Sequence, residues 1–367
     1  MTYLPAIHPV AGRNFNPKEE DLVKITEELY RSTQPLKLES GRELTEYHLH
    51  YTTFGKLNPE RNNVVWVCHA LTGNSNPSEW WPGLFGPGKV YDPEKFFVIC
   101  ANMLGSCYGS TNALDKNPAT AKPYFHDFPT PTNRDIVGAF IQLRKSLGFE
   151  KVHTLIGGSM GGQQALEWAI IEPDVFENLI GVSTNAHHSP WGIAFNESQR
   201  MAIVNDATFK ESKPDAGLEG MKTARTIALL SYRHYLTYQR TQEEDTTEKT
   251  DDYLASSYQQ YQGEKLKKRF NAYSYWRLSK AMDSHNVGRG RGSIEKALSQ
   301  IKANSHFVGI RSDILFPIDE QVFLASHVDD ASLDIIDSLY GHDGFLIEWE
   351  AIGASIEKFY KRVMVAV

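Results

Sequence analysis

Ser159 sits in Gly157-Gly158-Ser159-Met160-Gly161, a G-x-S-x-G pattern directly after the apolar run at 152–156. A serine hydroxyl is a weak nucleophile until a base takes its proton, and the chemistry this pattern offers is acyl transfer through an activated serine. A strand, a tight turn and a helix in that order form a nucleophile elbow, with the serine on a strained backbone at the head of the helix. The glycines at 157, 158, 161 and 162 leave room where strand and helix approach, and residues 163–169 read as the helix. Its N-terminus would turn free N–H groups toward the oxygen that becomes negative.

A base and an orienting acid are expected downstream, in the order Ser, Asp, His. The strand-like run at 306–310 leads into Arg311-Ser312-Asp313, which puts Asp313 just past a strand end. Asp319, Asp329 and Asp337 follow no apolar run so directly. A second strand-like run, 333–336, leads to Gly341-His342-Asp343-Gly344, where His342 is expected in a loop, free of core packing. His306 opens a strand and His327 lies in a helical stretch, so neither competes well. Ser159, Asp313 and His342 are the candidate catalytic residues. The backbone N–H of Met160 would be one oxyanion donor, and the other should come from the loop 69–73 after an earlier central strand. His69 in that loop is expected to do no proton-transfer work.

The elements that must position these groups alternate. Residues 64–68 and 96–100 read as buried central strands. Thr132 and Asp135 form a capping box before a helix whose Ile136, Phe140, Leu143 and Leu147 share a face. An opening hairpin is expected from Leu36, a Ser40-Gly41 turn and the stretch 44–51. His48 and His50 share a strand face there, read as exposed, and with no third ligand in matching context no metal is expected. Strands alternating with helices predict an α/β protein with a mostly parallel sheet. The alternation stops near Ser183 and resumes at His306, so a helical lid is expected inside one core: 1–184 core, 185–292 lid, 293–367 core. The acidic run at 243–252 reads as a solvated loop. Gly288-Arg289-Gly290-Arg291-Gly292 reads as the return linker, its arginines either hinge residues or phosphate contacts, with Ser293 capping the next helix.

Composition narrows the function classes. A 367-residue chain of net charge −7 without a basic tract argues against nucleic acid as a partner. The first residues lack a basic segment and an apolar core, and no stretch reaches the ~18 apolar residues that span a bilayer. Cys68, Cys100 and Cys107 are an odd set, two of them ending apolar runs, so buried thiols in a cytoplasmic protein are expected.

Several segments together resemble homoserine O-acyltransferases of the MetX type. They are the stretches 102–110 and 157–163, 194–200, Tyr261-Gln262-Gly263 with Arg269-Phe270-Asn271, 312–317 and Gly341-His342-Asp343. The resemblance runs from about residue 45 to 350. It implies an α/β-hydrolase fold with a helical lid, a homodimer through that lid, and acyl transfer from acyl-CoA to the hydroxyl of L-homoserine. Acetyl-CoA is the expected co-substrate, with no bound cofactor. The resemblance puts the second oxyanion donor at the Leu71 backbone, and assigns Arg225 to the substrate carboxylate, Asp343 to its ammonium and Tyr232 to substrate contact. An arginine suits a carboxylate because its planar fork binds bidentately. The chain departs from the family at Thr111-Asn112-Ala113, where Thr-Gly-Pro is common, which leaves the donor open between acetyl and succinyl if this loop borders the acyl pocket. A serine acceptor, one methylene shorter, differs by only about 1–3 kcal/mol. A carboxylesterase would share the serine, acid and histidine without needing Arg225 and Asp343.

Overall fold

The computed structural model describes residues 24–365. The strands are β1 (Thr26–Arg31), β2 (Leu36–Lys37), β3 (Glu43–Leu44), β4 (His48–Gly55) and β5 (Val64–Cys68). They continue as β6 (Phe97–Ala101), β7 (Val152–Gly158), β8 (Phe176–Val182), β9 (Asn304–Ile310) and β10 (Ser332–Ile336). Eight of them form one sheet in the order β1-β4-β6-β5-β7-β8-β9-β10. Neighbours from β6 to β10 are parallel, while β4 and β1 add an antiparallel edge.

Both faces of the sheet are covered, and this is why β5 reads as an unbroken apolar run. Val64, Trp66 and Cys68 enter one core; Val65 and Val67 enter the other. Helices α1 (Pro77–Trp80), α2 (Asn133–Ser146) and α3 (Met160–Ile171) follow the early strands. On the first face α2 contributes Ile136, Phe140 and Leu143, and α3 contributes Leu166 and Trp168. Trp66 and Trp168 meet edge to face at 4.9 Å. The Thr132 capping box that starts α2 is formed in both directions with Asp135.

Between β8 and β9 the chain makes α4 (Pro190–Asn205), α5 (Leu218–Tyr232), α6 (Tyr235–Thr241), α7 (Leu254–Lys267) and α8 (Ala272–Asp283). After them come α9 (Ile294–Leu298), capped by Ser293, then α10 (Ile318–His327), α11 (Gly344–Ile347) and α12 (Trp349–Val365). The last of these covers the second face with Ile352, Ile356 and Phe359. Within the insertion Phe270, Tyr273 and Tyr275 are buried, whereas Tyr253 and Tyr261 face solvent.

Two expectations are corrected. The opening hairpin is only β2 against β3; the stretch from His48 is a separate strand of the main sheet, paired to β1. β1 itself has no apolar signature because it is an exposed edge, held by its ladder to β4 rather than by burial. His48 and His50 are half-buried and hydrogen-bonded, His48 to Thr111 and His50 to Ser75 and Asn102, rather than freely exposed. Among the described residues no cluster of three or more metal-ligating side chains occurs.

The return linker is clamped by charge. Glu167 on α3, nearly buried, takes Arg134 and Arg291, each at 2.6 Å; Glu39 takes Arg134 at 2.9 Å and Arg289 at 2.6 Å. Both linker arginines are therefore committed to carboxylates, and the phosphate reading for them has no support. Burial pushes the Glu167 carboxyl up, but its bonds to Arg291 and Arg134 outweigh that and hold it below the usual range. A carboxyl so depressed stabilises the fold above its ordinary value of 4.5, and that stability is lost as pH falls through the lower folded value. Glu167→Gln should lower stability by about 1.5–3 kcal/mol at neutral pH. In thermal melts across pH, the gap from wild type should shrink in the acid range below 4.5.

Candidate active site

Ser159, Asp313, His342 and Leu71 all lie just beyond the carboxyl ends of parallel strands, respectively β7, β9, β10 and β5. In an open parallel sheet that end is where ligands bind. Ser159 has φ 55° and ψ −127°, a conformation that costs a non-glycine residue about 1–3 kcal/mol. The surrounding bonds impose it. Ser159 N–H donates to Val182 O at 2.9 Å, and Ser159 O accepts from Thr184 Oγ1 at 2.9 Å and Gly162 N–H at 3.0 Å. Two close approaches need glycine. A Cβ on Gly161 would lie 2.0 Å from Cys68 O, and one on Gly157 would lie 2.3 Å from Gly161 backbone.

The side chains converge. His342 Nε2 is 2.9 Å from Ser159 Oγ, and His342 Nδ1 is 2.7 Å from Asp313 Oδ2. The other Asp313 oxygen accepts from the N–H groups of Leu315 and Phe316, at 2.8 and 2.9 Å. A carboxylate held in that way accepts a hydrogen bond from Nδ1–H, which keeps the proton on Nδ1 and leaves Nε2 with a lone pair facing the serine hydroxyl. Such a set can remove the serine proton during attack and return it to a leaving group.

His342 is not free of packing. It is buried, with Phe316 and Phe345 rings at 5.0 Å and Tyr232 at 5.8 Å. Three rings from separate elements fix its plane, which flanking glycines alone would not.

Two backbone N–H groups close to this pair, those of Leu71 and Met160, lack a protein acceptor among the described residues. The loop carrying Leu71 is gripped from the core by His69. Met103 N–H donates to His69 Nε2 at 3.2 Å, so Nδ1 carries the proton and donates to Ala70 O at 2.9 Å. Burial lowers the His69 pKa to about 4, so the ring is neutral at physiological pH. This histidine holds a loop and moves no proton.

A cavity of about 180 Å³ opens on Ser159 and His342 and is also lined by Leu71, Trp80, Arg225, Tyr232, Arg269 and Asp343. The Arg225 guanidinium lies over the Tyr232 ring at 5.4 Å and has no carboxylate partner among the described residues. Asp343 already has a partner that the sequence did not reveal. Arg233 Nε lies 2.6 Å from Asp343 Oδ2, an ion pair whose N–H points off the line between them. Arg269 was also missed as a cavity residue. Its side chain crosses from the insertion to the loop after β5, a long-range contact that no local pattern signals. Thr111, Asn112 and Ala113 are buried beside β4, where Thr111 Oγ1 accepts from His48 N–H, and are not part of this lining.

Residues 63–348 match the family model described as the alpha/beta hydrolase fold. The homoserine O-acetyltransferase of Cyclobacterium marinum is 52% identical over 338 residues, covering 92% of this chain and 96% of that one. The crystal structure of homoserine O-acetyltransferase from Bacillus anthracis superposes with a TM-score of 0.84 at 25% identity, covering 92% of this chain and 97% of that one. Esterase E22 gives the same TM-score at 22% identity, over 92% of this chain and 100% of its own, a likeness of fold alone. With half of all positions shared along nearly the full length of a relative, and with the serine, histidine and aspartate geometry in place, the chain belongs to the homoserine O-acetyltransferase family of α/β-hydrolase fold proteins.

Proposed function

We propose that this protein transfers the acetyl group of acetyl-CoA to the hydroxyl of L-homoserine through an acetyl-serine at Ser159. The observation that carries the reading is the meeting, at one cavity, of the Ser159–His342–Asp313 triad with Arg225, an arginine that pairs with no carboxylate among the described residues. A hydrolase needs only the first half. A transferase must hold an amino acid against competing water, and a zwitterion offers a carboxylate for a guanidinium and an ammonium for a carboxylate.

In the first half-reaction Ser159 Oγ attacks the thioester carbonyl while His342 Nε2 takes its proton. The carbonyl oxygen becomes negative between the N–H groups of Leu71 and Met160. Collapse breaks the C–S bond, and His342 returns the proton to the departing CoA sulfur. In the second, His342 takes the proton of the homoserine hydroxyl, that oxygen attacks the acetyl-serine, and collapse releases Ser159, which recovers the proton. Arg225, backed by the Tyr232 ring, binds the homoserine carboxylate. Asp343 offers its oxygen not facing Arg233 to the ammonium.

The proposal extends to cytoplasmic location and assembly. Cys68, Cys100 and Cys107 are free thiols, and no helix among the described residues is long and apolar enough to cross a membrane. Helices 185–292 form a lid, and two copies pair through it. Apolar side chains left exposed on it support this, among them Met201 (57%) and Val204 on α4, Leu230 on α5, and Tyr235 (70%) on α6. Met201 and Val204 are neighbours on one face of α4, and contiguous exposed apolar surface marks sites of association.

Three outcomes are expected. Wild-type protein treated with acetyl-CoA should gain one acetyl group by intact-mass spectrometry and Ser159→Ala none, with unchanged circular dichroism; a label on another residue would refute the nucleophile. Arg225→Ala should weaken capture of homoserine by a charge-assisted bond of about 1.5–3 kcal/mol while acetylation of Ser159 persists. Rapid-quench measurement of CoA release beside O-acetylhomoserine formation should then show a raised ratio of hydrolysis to transfer. Met201→Glu with Val204→Glu should move the protein from dimer to monomer in sedimentation velocity at micromolar concentration.

A further inference from the structure

We infer that Arg269, at the α7–α8 junction, is a positioning residue that locks and polarises the oxyanion donor of Leu71 through two peptide groups in series. The inference rests on the reading above that Leu71 N–H receives the oxyanion. Arg269 Nη1 donates to Thr72 O at 2.8 Å and also bonds the Tyr108 hydroxyl. The Thr72 carbonyl and Gly73 N–H belong to one trans peptide and point in opposite directions. Gly73 N–H donates to Ala70 O at 2.8 Å. The Ala70 carbonyl and Leu71 N–H share the next trans peptide, so Leu71 N–H points away from that bond, and Leu71 lines the cavity. The series runs from guanidinium to Thr72 peptide, to Ala70 peptide, to the reacting oxygen.

Hydrogen bonds aligned head to tail polarise one another. A positive charge at the head draws electron density along the series, away from Leu71 N–H, and makes it a stronger donor. Arg269 is suited to this because no carboxylate among the described residues pairs with it and neutralises its charge. His69 grips the same Ala70 oxygen from the core, so the loop is held from both sides. Arg269 belongs to the insertion, and seating that insertion and completing the oxyanion site become one event.

The test compares wild type, Arg269→Met and Arg269→Lys in single-turnover acylation of Ser159 by acetyl-CoA and by p-nitrophenyl acetate, an ester without phosphate. Losing a whole oxyanion donor costs about 10²–10³-fold. The methionine variant, which keeps the N–H but loosens and depolarises it, should be about tenfold slower with both donors. Lysine, which restores a charged donor to Thr72 O, should recover most of the rate, with KM for homoserine unchanged. A loss confined to acetyl-CoA, seen as a raised KM with the ester rate intact, would overturn the inference in favour of a phosphate contact. Equal rates in all three proteins would overturn it as well. If the methionine variant melts early, Tyr108→Phe carries the same comparison, with about a twofold slowing expected from a less constrained guanidinium. The ester arm uses neither CoA nor homoserine, so an error in the proposed donor or acceptor leaves it readable.

Discussion

The backbone at Ser159 is held where a serine would not rest by choice, and the rest of the molecule is arranged around that constraint. Strand β7 must end against β5 and β8 while α3 begins at once, which brings Gly161 onto the Cys68 carbonyl and Gly157 onto Gly161. The strain of about 1–3 kcal/mol is small beside the burial of the sheet that imposes it. Its consequence is chemical. The Ser159 side chain projects from a turn rather than into a core, beside a Met160 N–H that has no protein acceptor among the described residues.

A second requirement is that two chain segments far apart in sequence meet this turn. Asp313 and His342 come from the loops after β9 and β10, and those strands can stand beside β8 only because the insertion leaves the sheet and returns to it. The return is fixed by Glu167 on the nucleophile helix, which holds Arg291 of the linker and Arg134 of α2. A buried polar chain extends the same attachment. Gln163, one turn beyond Ser159, meets Asn185; Asn196 of α4 meets His188 and Asp283; and Asp283 meets Arg200 at 2.5 Å. Core and insertion are thereby joined at Gln163–Asn185 and Glu167–Arg291, and removing one partner of the charged pair would leave the other buried and unpaired.

The insertion does more than cover the cavity. The end of α5 delivers Tyr232 to the His342 ring and Arg233 to Asp343, and the junction before α8 delivers Arg269 to the loop after β5. The strand ends carry Ser159, Asp313 and His342; the helices bring the cations Arg225 and Arg269 to the same cavity, where the proposed reaction would use them on a zwitterionic acceptor and a developing oxyanion. An esterase on the same sheet could dispense with the first of these.

What the sequence determined by itself were the features written in local pattern. The glycines around Ser159, the apolar runs of β5, β6 and β7, the Thr132 capping box and the position of Asp313 past a strand follow from steric and hydrogen-bonding demands between near neighbours. The order Ser, Asp, His added a topological rule that can also be read along the chain. The tertiary structure decided what depends on side chains reaching across it. The edge strand β1 exists through its ladder to β4, not through any apolar periodicity. The rings that clamp His342 come from three elements, the ion pair of Asp343 with Arg233 joins the insertion to the last loop, and the grip of Arg269 on Thr72 spans nearly two hundred residues. A long arginine side chain has several rotatable bonds and no preferred direction of its own, so only the packed fold selects the carboxylate or carbonyl on which it lands.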